Sequence, residues 1–387
     1  MDLIYLDHHA TTPMRPDVWE AIRPFMTETF GNPSSAHSIG RKARQSLEDA
    51  RESIAAQLHA HADEIIFTSG ATEANNLAIL GLTSDSKSHL IGSMIEHPCV
   101  VEPLRQLASR GHPLDWLPVP SDGVIRLDDI LAYLRPTTRL LTLMAVNHEM
   151  AAVQAIADVG RHLPSTVRLH CDAAQAAGKF AIDFHGWGCA SLTISGHKFG
   201  GPKGIGALVL RRGLTLKPQS WGGHQQAGRR PGTEPVALAV GMAVALAASA
   251  NERERNLRQV STLRSRLVDE LRLIGGVVSG PEQVCTAQLE ARTVSPYGLN
   301  VAFPDCAADM LLMKLDLAGI ACSTGSACAS GSLRPSPVLE AMGLPDSLLR
   351  SSIRLSLSAS QDIDTIDEAI RRISFAVQSL RHADDEV

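Results

Sequence analysis

Residues Ser195–Leu210 read SGHKFGGPKGIGALVL, and the reading of this stretch decides the fold. The apolar run Ala190–Ile194 (ASLTI) before it is a strand, and GALVL at Gly206–Leu210 is another. Between them Lys198 is followed by Gly200, Gly201, Gly204 and Gly206, which take tight or positive-φ conformations and let backbone come close to a ligand. A lysine held at a strand-to-loop junction away from water loses proton affinity and becomes an amine nucleophile. Ser195 offers a hydroxyl to an anion, and His197 a proton carrier. The grouping suits a Schiff-base lysine holding pyridoxal phosphate. A lysine in a glycine-rich turn is ordinary by itself, so the rest of the chain has to supply partners for the phosphate, the pyridine ring and a substrate.

Working outward, strands and helices alternate. EIIFTSG, HLIGSMIE, LLTLMAV, VRLHCDA, ASLTISG and GALVL are short apolar strands, with helical patterns at ATEANNLAILGL and PCVVEPLRQLASR between them. This spacing predicts an α/β fold with a mostly parallel sheet covered on both faces. Ligands bind such sheets beyond the carboxyl ends of the strands, where Thr72, His97, Asn147, Asp172 and Lys198 all fall. Two amphipathic helices precede the sheet, one with Val18, Ile22 and Phe25 on a face, the other with Ile39, Ala43, Leu47, Ala50, Ile54 and Leu58. After an alanine-rich helix over residues 234–250, the charged segment NERERN is expected to lead into a separate long helix. That helix links to a second, smaller unit with a strand at LNVAF, a helix at AADMLLMKLDLAG, a Ser/Gly/Cys-rich loop and a strand at SSIRLSLS. The expected division is a large domain over 15–256, and a small α+β domain made of 1–14 and 257–387.

The chain of 387 residues exceeds the usual single-domain length, and 44% apolar with 20% charged residues describes an ordinary globular protein. A net charge of −5 without a Lys/Arg cluster argues against a nucleic-acid partner, and no apolar run reads as a bilayer span. Seven cysteines without a CxxC pair argue against a disulfide framework or a structural metal site. Together with the start at YLDHHATTP, which leaves no room for a leader, they point to the cytoplasm.

Pyridoxal phosphate has three handles. For the phosphate, SGATEANN follows a strand and opens a helix, so N–H groups near Ala71 and Thr72 face outward with the positive helix end. A plain helix cap is an equal reading of Thr72. For the pyridine nitrogen, a carboxylate keeps it protonated, and Asp172 in HCDAAQ is the candidate. Gln175 can reach the ring hydroxyl or the Schiff base, or serve as a structural amide, and Asn147 in VNHE can serve the same oxygen. For the ring face, His97 in IEHP can stack and move protons, or simply pack.

SGATEANN, EHPCVV, VNHE, HCDAAQAAGK, SGHKFGGPKGIGAL, GRRPGTEP, STGSACASGSLRPSPVL and SSIRLSLS follow one another in an order that resembles the cysteine desulfurases of the NifS and IscS type. These belong to the class V aminotransferase group of fold-type I pyridoxal-phosphate enzymes, and the resemblance runs from YLDHHATTP to SSIRLSLS. It implies a mostly parallel seven-stranded sheet flanked by helices, with a smaller α+β domain. By it Lys198 carries the cofactor, Asp172 meets the pyridine nitrogen and His97 stacks on the ring. Gln175 and Asn147 meet the hydroxyl side, while Ala71, Thr72, Ser195 and His197 hold the phosphate. Thr233 reaches the phosphate from a second subunit, which implies a homodimer. Arg354 binds the substrate carboxylate, with Asn147 beside the substrate.

Cys328 lies in a polar loop unlike the apolar settings of Cys99 or Cys171, and by itself it reads as an incidental loop cysteine. The same resemblance implies that it takes the sulfur of L-cysteine as a persulfide, leaving L-alanine, for transfer to a protein acceptor serving iron–sulfur assembly or another thiolation. Cys322 reads as packing. His148, Ala151, Gln226, Ala227, Pro231 and Arg334 depart from the common pattern, and none is expected to touch the catalytic set. The chain also lacks the extended tail by which the housekeeping form docks its iron–sulfur scaffold. Rivals are a selenocysteine lyase, another C–S lyase or an aminotransferase of the same fold, and a scaffold paralogue without activity. Cys328 argues against the first group and the intact residue set against the last.

Overall fold

The structure is a computed structural model that describes residues 2–83, 87–285, 289, 293–325 and 335–384. Its first strand, β1 (Ile4–Tyr5), lies apart from the main sheet. That sheet is built from β2 (Ile65–Thr68), β3 (His89–Ser93), β4 (Leu114–Leu117), β5 (Thr138–Thr142), β6 (Arg168–Asp172), β7 (Ser191–Ser195) and β8 (Gly206–Leu210). Their order is β2-β8-β7-β6-β5-β3-β4. β8 runs antiparallel to both its neighbours and the other pairings are parallel. Every residue of β2, β3, β7 and β8 is buried, as in strands covered on both faces, although β7 (SLTIS) alternates polar and apolar residues. This is the seven-stranded, mostly parallel fold-type I sheet that the motifs imply.

β4 escaped the sequence reading. It is an edge strand, LDWL, whose Asp115 pairs with Arg135 at 2.5 Å, and edge strands carry such charges instead of an apolar run.

A three-stranded antiparallel sheet follows, in the order β12-β10-β9, from β9 (Val277–Ser279), β10 (Gly298–Ala302) and β12 (Ser352–Ser356). The two-residue β11 (Ile320–Ala321) pairs in parallel with β1, matching Ile4 with Ile320. The N-terminal segment then crosses to β12, where Ser356 N–H donates to Leu6 O at 2.7 Å.

The break expected at NERERN does not occur. One helix runs through Val236–Leu273, 38 residues. No Gly or Pro interrupts the charged segment, and its residues form helices well. Glu252 also pairs with Arg15 at 3.0 Å and Arg255 at 3.5 Å. The first half of this helix reaches a mean hydropathy of 1.2 over 18 residues, enough by length and composition for a membrane span, and half of that window is buried inside the protein. Its apolar face, including Ala239, Met242, Ala245 and Leu246, belongs to the main core.

Candidate active site

β2, β3, β6 and β7 run in one direction, so the residues that follow them meet at one end of the sheet. A cavity of about 450 Å³ opens there. It is lined by Ala71 and Thr72 after β2, His97 after β3, Asp172 at the end of β6, then Gln175, and Ser195, His197 and Lys198 at the end of β7, with Arg354 of β12 across from them.

The helix Ala71–Leu82 starts at Gly70, whose φ of 157° and ψ of −178° are a glycine conformation, and no side chain caps it. Thr72 is therefore not the cap, and the unpaired N–H groups of the first turn border the cavity. Gly206 has no room for a Cβ, which would come within 2.7 Å of Gly70 Cα. Ser195 is 1% exposed. Burial, and then the Lys198 charge, push His197 down to about 4.

Asp172 accepts hydrogen bonds from Asn75 Nδ2 at 2.7 Å and from the Ala174 N–H at 2.9 Å. Asn75 Oδ1 in turn accepts from His170 Nε2 at 2.9 Å, and His170 Nδ1 meets Ser191 Oγ at 2.8 Å. Burial holds His170 down at about 3, so a neutral imidazole braces the carboxylate from behind. Burial and the nearby Asp172 push the Glu96 carboxyl well up, which avoids two anions side by side.

His97 caps the helix Pro98–Ser109, accepting at Nδ1 from the Cys99 N–H at 3.2 Å with Cys99 Sγ 2.9 Å away. Its proton therefore sits on Nε2, and burial, with His148 next, pushes its pKa down to about 4. Lys198 Nζ donates to Ala10 O at 2.9 Å and also to His9 O. Arg354, 2% exposed, gives Nη2 to Asp7 Oδ1 at 2.7 Å and Nη1 to His148 O at 3.2 Å. Its buried Nε has no hydrogen-bond partner among the described residues.

Two expected residues, Asn147 and Thr233, stand outside the cavity. Asn147 is fully buried and does not line the cavity. Its Nδ2 donates to Ile95 O at 2.9 Å, and its Oδ1 accepts from the N–H groups of Glu149 and Met150 at 2.8 and 3.0 Å. Thr233 is exposed and outside the cavity. Cys328, like Arg334, lies outside the described residues. The segments flanking residues 326–334 both reach the cavity's surroundings. Ser323 Oγ donates to Asp7 Oδ2 at 2.9 Å and Ser336 Oγ to Glu149 Oε2.

Other residues were missed. His9, Ala10 and Thr11 line the cavity, as do Cys99, His148, Lys203 and Gly204. The only sequence signal for the first group is an unusually polar HHATT run beside an apolar strand. Cys99 is part of the wall and not mere packing, although burial pushes its thiol far up. His148 stands edge-on to His97 with ring centroids 5.2 Å apart, so this departure does touch the catalytic set. Ala151, Gln226 and Ala227 adopt φ of 63°, 51° and 56°, conformations that favour glycine. Gln226 compensates by accepting from Arg51 at 3.0 Å and from the Phe67 N–H at 3.1 Å. Burial pushes Cys322 up to about 12.

Away from the cavity, His61, Glu64 and His185 form one group whose ligand atoms lie within 4.8 Å of one another. Glu64 already accepts from the N–H groups of His61 at 2.8 Å and Arg212 at 2.9 Å, and from His185 at 2.9 Å. The trio therefore stands as a hydrogen-bonded hub.

The donor set fits pyridoxal phosphate. It offers uncapped helix N–H groups with a buried hydroxyl, a braced carboxylate, a lysine amine, and an orphaned guanidinium nitrogen suited to a carboxylate. The class-V aminotransferase family matches residues 4–368. The cysteine desulfurase IscS of Dictyoglomus turgidum is 38% identical over 379 residues, covering 96% of this chain and 94% of that protein. A cysteine desulfurase of a Nostoc species is 40% identical over 384 residues, covering 98% and 94%. The solved structure of a NifS-like protein superposes with a TM-score of 0.89 at 31% identity, covering 96% and 98%. The chain therefore belongs to the class-V aminotransferase family of pyridoxal-phosphate-dependent enzymes, in its cysteine desulfurase branch.

Proposed function

We propose that this protein removes the sulfur of L-cysteine, releasing L-alanine and leaving a persulfide on Cys328 for a protein acceptor. One observation carries the reading: Lys198, Asp172, His97 and Arg354, from four distant segments, line a single cavity. When bound, pyridoxal phosphate supplies an electron sink for the bond broken at the substrate's α-carbon.

The residues divide the remaining work. Ala71, Thr72, Ser195 and His197 bind the phosphate. Asp172, braced by Asn75, holds a proton at the pyridine nitrogen. Gln175 faces the ring's hydroxyl side. Asn147, its amide already committed to backbone, shapes the wall from behind. Arg354 takes the substrate carboxylate in an oriented contact. Lys198 exchanges its amine for the substrate's and then carries the α-proton. The Cys328 thiolate attacks the substrate sulfur. The C–S electron pair stays with carbon, which gains a proton, and an S–S bond forms on Cys328. His97 serves the thiols as proton donor or acceptor, a role worth about 10²- to 10⁴-fold.

We further propose two domains, 15–256 and 1–14 with 257–387, the second carrying the Cys328 loop. Two copies pair so that the exposed Thr233 of one reaches the phosphate site of the other. We place the protein in a reducing, cytoplasmic setting, in keeping with seven cysteines that show no CxxC pair.

The test is to incubate the pyridoxal-phosphate form with L-cysteine, quantify alanine, and map persulfide by mass spectrometry. Equimolar alanine and a persulfide on the Cys328 peptide are expected. Pyruvate in place of alanine, or persulfide formation surviving Cys328→Ala, would favour a different lyase.

A further inference from the structure

Lys179 is buried behind Gln175, which lines the cavity, and has no part in the mechanism above. It ends the HCDAAQAAGK segment, four residues after Gln175, and is 7% exposed. Its Nζ donates to Gln175 Oε1 at 3.0 Å. Gln175 Nε2 donates to His9 O at 2.9 Å, and the same carbonyl accepts from Lys198 Nζ. While Lys179 is protonated its ammonium can only donate, and the Gln175 amide then has one allowed orientation. A flip would set donor against donor at Lys179 and acceptor against acceptor at His9. The ammonium also lies 5.5 Å from the centroid of the Tyr297 ring, a face that attracts cations.

We propose that Lys179 is a positioning residue for the imine-forming amine. It holds the Gln175 amide and, through the shared His9 carbonyl, faces the Lys198 nitrogen with a second positive charge. The inference rests on the reading of Lys198 above.

The charges around Lys179 agree. Lys198 approaches from the loop after β7 and Arg354 from β12, and both oppose its charge. The N-terminal segment brings His8 and His9, both held neutral by burial. Asp7 is engaged with Arg354 at 2.7 Å. Tyr297 lies beneath, its phenol pushed up by burial, with Arg253 acting on it in turn. Burial first, and then Lys198 and Arg354, push Lys179 down to about 7. The repulsion is mutual, so a charged Lys179 disfavours a positive charge on the Lys198 nitrogen, as adjacent cations do for other nucleophilic lysines.

The test is a pH titration of the visible absorption band that pyridoxal phosphate acquires on Lys198, in the holoenzyme and in Lys179→Met. Removing the cation raises the midpoint by about one pH unit. Lys179→Gln, which keeps a neutral donor, is read the same way should the methionine variant fail to fold. A midpoint that stays in place in a folded variant, with only thermal stability or cofactor affinity altered, makes Lys179 merely structural and overturns the proposal. A band that survives Lys198→Ala would instead sink the reading of Lys198, so the two failures are distinguishable.

Discussion

The cavity has two walls, and they are built by different means. On the sheet wall Lys198, Asp172, His97, Ala71 and Thr72 each sit within a few residues of a strand's carboxyl end, and fully buried strands fix them. The opposite wall holds His9, Ala10 and Arg354. It is assembled from residues far apart in sequence: Asp7 with Arg354, His9 with His148, Ser323 with Asp7, Ser336 with Glu149. One wall inherits its geometry from the main sheet, and the other from the buried strand β12 joined to the N-terminal segment by a handful of polar contacts. The groups proposed to hold the cofactor and carry the α-proton sit on the first, whereas the arginine and the segments flanking residues 326–334 sit on the second. A substitution on the sheet wall should therefore cost chemistry at little cost in stability. One on the other wall should cost stability and substrate affinity together.

The largest effect tests the sheet wall. Lys198→Ala removes nucleophile and proton carrier at once, so desulfuration should fall by roughly 10³- to 10⁴-fold. Borohydride reduction of the holoenzyme should then fix no cofactor to the protein, measurable as intact mass. The unfolding midpoint in urea should move little, because Lys198 is a partly exposed residue at the end of the short 3-10 helix Gly196–Lys198. A large loss of stability would erase the proposed contrast.

The next effect belongs to the other wall. Asp7→Ala leaves Arg354 buried with its Nη2 contact gone. An uncompensated buried charge costs about 3–5 kcal/mol, read from urea unfolding. The KM for L-cysteine should rise with it, since Asp7 orients the guanidinium that binds the substrate carboxylate. Stability lost with KM unchanged would uncouple Arg354 from the substrate.

The difference between the walls also explains what the sequence revealed. Short apolar strands followed by Thr72, His97, Asp172 and Lys198 are local patterns, so that wall and the sheet were legible. The Asp7–Arg354 pair joins the first residues of the chain to its last strand, and no local pattern announces it. Cys99 reads as a buried hydrophobe and Lys179 goes unremarked, because only the fold brings Cys99 to the cavity and Lys179 against Gln175. Asn147 misled in the opposite sense: a polar residue at a strand end can be consumed by neighbouring backbone. The helix over Val236–Leu273 shows that a run of charges without Gly or Pro does not end a helix.

A third effect depends on pH and draws on both walls. His97 and His197 are held near 4 and His170 near 3 by burial, with His8, also near 4, and His9, held well below its ordinary value, on the far side. The unfolded chain takes up these protons near 6.5. The stability they contribute is thus complete above pH 6.5 and is lost as pH falls toward 4, on the order of 1–3 kcal/mol for each. The thermal midpoint should fall by several degrees between pH 7 and pH 5 in calorimetry. A flat profile there would mean that these imidazoles are not held neutral by the fold.

The smallest effect probes the rim of the second wall. Ser336 caps the helix Pro337–Ala341 by accepting from the N–H groups of Val338 and Leu339 at 3.2 and 3.3 Å, and its hydroxyl donates to Glu149. Ser336→Ala removes the cap and leaves Glu149, 1% exposed, short of one donor. A lost cap costs about 1 kcal/mol, a shift that should be visible in urea without touching cofactor binding. The informative readout is the rate of persulfide formation on Cys328, since Ser336 lies just beyond the segment that carries it. A slower transfer with normal cofactor absorbance would place the Glu149 contact among those that present the thiol. An unchanged rate would confine Ser336 to the helix it caps, and the second wall would then act on the reaction through Arg354 rather than through its rim.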